Sequence, residues 1–282
     1  MRIARHLVDG QPALAIVTDD GLATLQTEHT DLPSLLAASG GDLVAAVGAM
    51  GTGSVTPLDD ANLLSPVGHP PTILAVGLNY GAHAAEGGRE PPSVPIIFNK
   101  HYKCIVGPGD PIHLPAAAPS MVDYEGELAV VIGRIARAVS AADAPDYIAG
   151  YTIMNDVSVR DWQRASPTMM MGKSWDTHGP CGPWLVTGDS IDPHSCRLVT
   201  EVSGEVRQDA KTDDLIFDCY QVVEHLSTAF TLDPGTIIAT GTPAGVGLFF
   251  DPPRLLKPGD EVSITIEGIG TLTNPVIPEP IA

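Results

Sequence analysis

The chain of 282 residues has no long apolar run, few cysteines and little positive charge. No stretch approaches the roughly 18 consecutive apolar residues of a membrane-spanning helix, so we expect no membrane partner. The N-terminus has no apolar segment followed by a small-residue cleavage site, which predicts a cytoplasmic protein rather than an exported one. The four cysteines are scattered without a CxxC pair, which argues against a disulfide framework or a thiolate zinc site.

Positive charge is scarce, since 15 Lys and Arg stand against 34 Asp and Glu, for a formal net charge of -19. Binding to nucleic acid needs a basic stripe that displaces counterions from phosphates, so we expect no nucleic-acid partner. The nucleotide-binding fingerprints GxGxxG at a helix start and GxxxxGK[ST] are also absent from the sequence. An apolar share of 44% with 17% charged residues is typical of a folded, soluble protein.

The patterning predicts two domains, a small N-terminal α+β domain over residues 1–67 and a larger domain over 68–282. In the first, "PALAIVTDDGLATL" predicts two strands around a turn, and "LPSLLAASGGDLVAAVGAMG" predicts one or two short helices. From residue 72 onward, short β-branched runs such as "ELAVVIG" predict many strands and few long helices, with the best helix candidates near 158–165 and 217–230. The predicted fold class is therefore mostly β (α+β), with helices covering sheet edges.

Three acids, Asp123, Glu125 and Glu127, lie at the mouth of an apolar strand in "MVDYEGELAVVIG". Side chains alternate along a strand, so the two glutamates share one face about 6–7 Å apart. Their repulsion is relieved by a solvated sheet face, by ion pairs with Arg or Lys, or by a shared hard divalent cation. Asp156 ends the next apolar strand and can join both glutamates around Mg²⁺ or Mn²⁺. The residues alone leave these three alternatives open.

Seven motifs, in this order along the chain, resemble the fumarylacetoacetate hydrolase family, including bacterial members with a small N-terminal domain. They are "GLNYGAHAAE" (77–86), "PIIFNK" (95–100), "GPGDPI" (107–112), "DYEGELAVVIG" (123–133), "NDVSVRDWQ" (155–163), "GKSWDT" (172–177) and "GTIIATGTPAGVG" (235–247). The resemblance covers about residues 70–282 and implies a mixed β-sandwich or roll as the catalytic domain. It also implies a divalent metal (Mg²⁺, or Mn²⁺ or Ca²⁺), a 2-oxo acid or 1,3-diketone substrate and a homodimer.

The resemblance divides the acids by role. The implied metal ligands are Glu125, Glu127 and Asp156. Asp123 is implied to be a supporting acid, with a turn residue at the start of the strand as the alternative. The segment "ILAVGLNY" before His83 has no acid where the founding enzyme has a further ligand, so the chain resembles a three-ligand branch. Trp175 and His178 stand where relatives often have Phe, so they are candidates to reshape the substrate pocket.

Three residues match the catalytic groups of the family. His83 and Glu86 match a His–Glu dyad, in which the carboxylate orients the imidazole as a general base. Lys173 matches a lysine that faces the substrate. Without the resemblance, the first two indicate a solvated pair on a helix and the third a surface lysine. The nearby "EGGREPPSVP" is rich in Gly and Pro, which predicts a lid that is flexible when the site is empty.

Four further positions match residues that line the active site in the family. They are Tyr80, Arg160, Gln163 and Thr242. The glycines around Thr242 permit a close approach of the backbone to a substrate carboxylate. A pair on a helix surface is the alternative for Arg160 and Gln163. Tyr80 and Lys100 are weaker candidates, because their motifs also serve packing.

The leading functional prediction is hydrolytic C–C cleavage of an acylpyruvate-like or other 1,3-diketone. In it the metal polarises the diketone and holds the enolate, His83 activates water, and Lys173 and Gln163 stabilise the oxyanion. Decarboxylation of a 2-oxo diacid such as oxaloacetate is the nearest alternative, followed by hydration or isomerisation of unsaturated 2-oxo acids. A non-enzymatic protein that binds metal or 2-oxo acid is the alternative of another class, against which the general base argues.

Overall fold

The computed structural model describes residues 1–280. The N-terminal part forms the strands β1 (Arg2–Val8), β2 (Gln11–Thr18), β3 (Gly21–Leu25) and β4 (Thr52–Thr56) and the helices α1 (Leu32–Ser39) and α2 (Leu43–Gly48). The side chains of Asp31 and Asp42 cap these helices by accepting the backbone N–H groups of Ser34 and Ala45. Gly40, with φ +61°, ends α1, so the predicted pair of short helices separated by Gly-Gly is present.

The rest of the chain is mainly strand, interrupted by short helices. Its strands are β5 (Leu63–Leu64), β6 (Ile73–Gly77), β7 (Ile96–Lys100), β8 (Ile105–Val106), β9 (Ile112–Leu114), β10 (Val122–Asp123), β11 (Gly126–Ile132), β12 (Ile148–Asn155), β13 (Ser158–Val159), β14 (Gly179–Thr187), β15 (Arg197–Val202), β16 (Glu205–Lys211), β17 (Ile237–Ala239), β18 (Glu261–Ile266) and β19 (Gly270–Pro278). Its helices are α3 (Gly81–Glu86), α4 (Arg160–Ala165), α5 (Met170–Lys173) and α6 (Cys219–Ala229). Single 3₁₀ turns lie at Leu58–Asp60, Tyr102–Cys104, Ala144–Tyr147, Gly188–Ser190, Thr212–Asp214 and Gly247–Phe249.

Two sheets carry the fold. The larger has 12 strands in the order β4-β3-β2-β1-β14-β12-β11-β17-β6-β7, with β5 paired to β1 and β8 paired to β14. The smaller has five strands in the order β16-β15-β18-β19-β9, and β10 and β13 form a separate antiparallel pair. This strand-dominated α+β architecture confirms the predicted fold class. Within residues 1–280 no helix has the length and apolar character needed to cross a membrane.

Strand β11 lies between two hydrophobic cores, which explains its unbroken apolar run from Leu128 to Ile132. Leu128, Val130 and Ile132 belong to a core shared with the smaller sheet and with α6. Ala129 and Val131 point into a second core, which includes leucines of α1 and α2. A strand covered on both faces favours apolar residues on both, and all seven residues of β11 are buried, with Glu127 near its start as the one charged exception.

The N-terminal strands extend the sheet of the larger part. Strand β1 pairs antiparallel with β14, with Arg2 opposite Val186 and Ile3 opposite Leu185. The sheet is therefore continuous across residue 67, and the division into domains at 1–67 and 68–282 stays a prediction.

The two predicted helices of the larger part are present with shorter bounds. Helix α6 begins after Asp218, which forms a capping box with Gln221, and it buries Val222 and Leu226. Phe230, the last residue of the predicted range, is 42% exposed because the helix has already ended at residue 229. In the other segment, residues 158 and 159 form β13, and only α4 is helical.

Candidate active site

The antiparallel pairing of β11 with β12 brings three carboxylates together. Glu125 directly precedes β11, Glu127 is its second residue, and Asp156 directly follows β12. Gly126 lies opposite Asn155, and the Asp156 N–H donates to the Glu125 carbonyl at 2.9 Å. One ligand oxygen from each of the three acids lies within 4.8 Å of the others, and all three residues are buried. The predicted convergence of the acids is therefore present, and the solvated sheet face is excluded.

Three cations surround this acid cluster (Glu125, Glu127 and Asp156). Lys173 Nζ lies 2.6 Å from Glu125 Oε2 and 2.6 Å from Asp156 Oδ2. Lys100 Nζ lies 2.7 Å from Asp156 Oδ1, and Lys100 also donates to the backbone carbonyl of Lys173. Arg160 Nη1 donates to Glu125 Oε1 at 2.6 Å. Ion pairing with Lys and Arg, one of the three alternatives, is thus part of the site.

Glu127 differs from the other two acids because it has no cation partner in the described part of the chain. Its Oε2 accepts only the backbone N–H of Gly241, at 2.8 Å. Burial raises the pKa of Glu127 well above its ordinary value, and the charges of Asp156 and Glu125 raise it further. For Glu125, burial alone would raise the pKa, but Lys173 and Arg160 outweigh it and hold the pKa below its ordinary value.

The residues fit a hard divalent cation. Four buried carboxylates, counting Asp123, face the three buried cations Lys100, Arg160 and Lys173, which leaves one negative charge uncompensated. The clustered donors are all carboxylate oxygens, which Mg²⁺, Mn²⁺ and Ca²⁺ prefer. The acid cluster can therefore hold a metal ion.

Asp123 is not part of the acid cluster but contacts Arg160, which pairs with Glu125. Its Oδ2 accepts from Arg160 Nε at 2.8 Å and from Arg160 Nη2 at 2.7 Å. Its Oδ1 accepts the N–H of Gly247 at 2.8 Å, and Oδ2 accepts that of Leu248 at 3.0 Å. Although burial alone would lower the pKa of Arg160, the Asp123 and Glu125 carboxylates raise it. Arg160 is thus a buried link between Asp123 and Glu125, not a residue of the helix surface.

Helix α3 carries the predicted His–Glu dyad. His83 Nδ1 lies 3.3 Å from Glu86 Oε2, and the Glu86 carboxylate also accepts the Gly245 N–H, at 3.0 and 3.2 Å. Because a carboxylate only accepts, Nδ1 donates to it, and in the neutral ring the lone pair is on Nε2. His83 is 7% exposed, and its ring centroid lies 5.9 Å from that of Phe249. Residues 88–92, which follow the helix, are mostly exposed and form no regular element, and their flexibility stays a prediction.

A cavity of about 640 Å³ joins these groups. Eight of the ten predicted site residues line it: His83, Glu125, Glu127, Asp156, Arg160, Gln163, Lys173 and Thr242. Glu86 does not line the cavity, but it contacts His83, which does. The sequence did not indicate that Arg89, Phe98, Arg164 and Phe249 also line it. Lys100 lies beneath it as a partner of Asp156.

The Thr242 hydroxyl both donates and accepts a hydrogen bond within the protein. Its Oγ1 donates to the Gly126 carbonyl at 3.0 Å and accepts from Gln208 Nε2 at 2.7 Å. Gln208, buried in β16, also accepts the Gly126 N–H at 3.0 Å and so fixes the start of β11 from the smaller sheet. The sequence gives no indication that Gln208 belongs to the site. Its only local signal is an uncharged polar residue within the charged strand sequence "EVRQDAK".

Tyr80, Trp175 and His178 do not line the cavity. Tyr80 is fully buried, and its hydroxyl has no hydrogen-bond partner among residues 1–280. Trp175 packs edge-on against Trp162, with ring centroids 5.0 Å apart, and borders a neighbouring cavity of about 340 Å³. His178 is buried and donates from Nε2 to the His113 carbonyl at 2.8 Å. Burial lowers the pKa of His178 to about 3, so its ring is neutral.

Comparison with protein families and curated proteins gives consistent matches. A family model described as fumarylacetoacetate (FAA) hydrolase C-terminal matches residues 72–277. Protein Rv2993c of Mycobacterium tuberculosis is 50% identical over 227 residues, which are 80% of this chain and 82% of that protein. The oxaloacetate tautomerase YisK of Bacillus subtilis is 44% identical over 223 residues, which are 78% of this chain and 74% of that protein.

Solved structures match nearly the whole chain. A 5-carboxymethyl-2-hydroxymuconate delta-isomerase from Mycobacterium smegmatis has a TM-score of 0.82 and 42% identity, covering 99% of this chain and 100% of that one. A maleylpyruvate hydrolase from Sphingobium sp. SYK-6, in complex with manganese(II) and pyruvate, has a TM-score of 0.79 and 31% identity, with the same coverage. One similar structure thus contains a divalent metal and a 2-oxo acid.

Proposed function

Because this chain belongs to the fumarylacetoacetate hydrolase family, we propose that it is a metal-dependent enzyme that interconverts the enol and keto forms of a 2-oxo acid. The observation that carries the proposal is the placement of the acid cluster and His83 on the wall of one cavity. The names of two similar proteins, an oxaloacetate tautomerase and a delta-isomerase, support it, since both describe rearrangements without loss of atoms.

The acid cluster of Glu125, Glu127 and Asp156 would hold Mg²⁺ or Mn²⁺. The bound ion would supply positive charge that favours the enolate form of a 2-oxo acid. Lys173 adds positive charge at the same place and, through its two ion pairs, fixes the directions of Glu125 and Asp156.

His83 is the residue that moves the proton. In the keto-to-enol direction Nε2 takes a proton from the carbon next to the carbonyl. The C–H electron pair then becomes the new C=C bond, and the carbonyl oxygen gains a proton from solvent. Nε2 then releases its proton to solvent, so the net change is the movement of one proton from carbon to oxygen. In the reverse direction protonated Nε2 gives its proton to carbon, and the enol oxygen loses its proton to solvent. Glu86 holds the ring with Nε2 unprotonated, and it is itself held by the Gly245 N–H.

Gln163 and Thr242 are not equally ready to bind substrate. Gln163 Oε1 accepts from Arg160 Nη1 at 3.1 Å, while its Nε2 has only a 3.9 Å contact to the Met169 sulfur. The amide N–H of Gln163 is therefore the donor available to a substrate oxygen. Thr242 would have to give up its bond to the Gly126 carbonyl before it donated to a substrate carboxylate.

Hydrolytic C–C cleavage of a 1,3-diketone, the leading prediction from the sequence, is the second candidate. Two observations favour it: His83 Nε2 has no partner in the described part of the protein, and the cavity of about 640 Å³ has room for a water beside a substrate. The similarity to a maleylpyruvate hydrolase is consistent with it. Decarboxylation of a 2-oxo diacid needs the same enolate stabilisation and stays a prediction. The homodimer and the cytoplasmic location also stay predictions.

The two candidates differ in their products. With Mg²⁺ or Mn²⁺ present, we expect the enzyme to accelerate the loss of enol-oxaloacetate absorbance without release of CO₂, and to cleave acetylpyruvate slowly or not at all. His83→Ala is expected to abolish the acceleration and to keep metal binding, while the exposed His225→Ala keeps both. Rapid release of acetate and pyruvate from acetylpyruvate, with no effect on oxaloacetate, would replace the first candidate by the second.

A further inference from the structure

Positive charge is concentrated at the cavity in a chain that is otherwise strongly acidic. Four of the 15 Lys and Arg residues line this one cavity: Arg89, Arg160, Arg164 and Lys173. Two of the four are already used, because Arg160 and Lys173 are buried in ion pairs with the acids. The side chains of Arg89 and Arg164 have no ion pair or hydrogen bond to residues 1–280, and both are exposed.

The two free arginines come from two separate elements. Arg89 follows α3, the helix of His83, and its backbone N–H donates to the Ala84 carbonyl at 2.8 Å, so its position is tied to that helix. Arg164 lies in α4, directly after Gln163, which lines the same cavity. Two arginines without an ion pair among residues 1–280 thus line the cavity that the acid cluster also lines.

We propose that Arg89 and Arg164 bind a second carboxylate at the far end of the substrate, so that the enzyme prefers dicarboxylic 2-oxo acids to monocarboxylic ones. This inference rests on the proposed function. The guanidinium group presents a planar set of donors that matches a carboxylate, and it is always charged. The far carboxylate of a 2-oxo diacid is the substrate group that would neutralise these charges.

The charge of the whole molecule gives the two arginines a further role. A net charge of -19 repels a dianion more strongly than a monoanion, so the field outside the cavity acts against the proposed substrate. The two arginines at the cavity would oppose that repulsion locally. Because both are exposed, salt screens their effect, and the preference for the diacid is expected to weaken as ionic strength rises.

The test compares oxaloacetate with its 4-methyl ester, which lacks the charge of the far carboxylate and carries one added methyl group. The metal-loaded enzyme is assayed as wild type, Arg89→Gln, Arg164→Gln and the double variant. Each single substitution is expected to lower kcat/KM for oxaloacetate about 10-fold, mainly through KM, since one charged hydrogen-bonding group is lost. Turnover of the ester is expected to change less than about twofold in the same variants.

Arg197→Gln is the matched control, because Arg197 is exposed on β15 and pairs only with Asp209 at the surface. It is expected to leave both substrates unaffected. Equal losses for the acid and the ester in the Arg89 and Arg164 variants would overturn the inference, as would a wild type that turns over both substrates equally well. Those outcomes leave the proposed function intact, whereas a wild type that accelerates neither substrate overturns the proposed function and this inference together.

Discussion

Lys173 and Asp156 form a buried ion pair, in which Lys173 Nζ lies 2.6 Å from Asp156 Oδ2. The same ammonium lies 2.6 Å from Glu125 Oε2, so one cation pairs with two of the three clustered carboxylates. Burial alone would lower the pKa of Lys173, but the Asp156 and Glu125 carboxylates raise it. The side chain therefore stays charged and supports the acid cluster, in addition to its predicted contact with substrate.

Replacing Lys173 with Met, which keeps most of the side-chain volume, is expected to lower the free energy of unfolding by about 3–5 kcal/mol in chelator, because two buried carboxylates lose a counter-charge. Urea denaturation at neutral pH measures this loss. Saturating Mn²⁺ is expected to recover part of it. Lys211→Met, at an exposed lysine, is the control and should change little. A loss as small as the control's would contradict a supporting role for Lys173.

Glu127→Gln is expected to act in opposite directions with and without metal. Without metal, the neutral amide removes the one clustered charge that has no cation partner within residues 1–280, and the free energy of unfolding rises by about 1–3 kcal/mol. With Mg²⁺ or Mn²⁺, the wild type gains melting temperature and the variant loses most of that gain. Thermal melts with chelator and with each metal test both parts. A variant that responds to metal like the wild type would remove Glu127 from the ligand set.

The sequence predicted the acid cluster because its signal is local. Alternation on one strand places Glu125 and Glu127 on one face, and Asp156 ends the neighbouring strand at the same edge. The surrounding cations had no such signal. Arg160 could be a residue of the helix surface by its spacing from Gln163, and only the chain path brings it to Asp123, 37 residues away. Residues that act through distant partners are invisible to periodicity.

The same limit applies to the fold. The strands and the capped helices follow from local patterns, but nothing in the first 67 residues indicates that β1 extends a sheet through β14, about 180 residues later. For Tyr80, the resemblance suggested a place in the substrate site that the side chain does not occupy. Its motif borders the site in sequence, yet the side chain is directed into the interior, where it is fully buried. A motif shared with a family locates a segment more reliably than the direction of each side chain.

Asp123→Asn is expected to weaken metal binding while leaving all three ligands in place. The amide keeps an acceptor for the Gly247 N–H but loses the charge that holds Arg160 at 2.7 Å, so Arg160 is free to shift relative to Glu125. Loss of such an outer partner typically costs about 10–100-fold in metal affinity or activity. Calorimetric titration with Mn²⁺ measures the affinity of the wild type and the variant.

Two further variants test whether the charge of Asp123 is responsible. Asp209→Asn breaks an ion pair of similar geometry at the surface, where Arg197 Nη2 lies 2.6 Å from Asp209 Oδ2, and it should leave Mn²⁺ affinity unchanged. Asp123→Glu keeps the charge and should retain more affinity than Asp123→Asn, if charge and not shape is what Asp123 contributes. If Asp123→Asn binds Mn²⁺ with wild-type affinity, then Asp123 only holds the loop at residues 247 and 248 and does not support the metal ligands.

The lowered pKa of His178 predicts how the free energy of unfolding changes with pH. Burial lowers its pKa to about 3 in the folded chain, against an ordinary value of 6.5, although its bond to the His113 carbonyl opposes the shift. Between these two values the unfolded chain binds a proton that the native protein does not. The contribution of His178 to stability is therefore present above about pH 6.5 and is lost as the pH falls, by at most about 1.4 kcal/mol per pH unit.

His178→Asn separates this contribution from other acid effects, because the amide N–H still reaches toward the His113 carbonyl but does not titrate. Between pH 7 and 5, the wild type is expected to lose about 1–2 kcal/mol more unfolding free energy than the variant, as measured by urea denaturation in chelator. His225→Asn, at an exposed histidine, should keep the wild-type dependence on pH. If His178→Asn also keeps it, then His178 is protonated in the native state, and its burial without a partner for Nδ1 among residues 1–280 does not hold in solution.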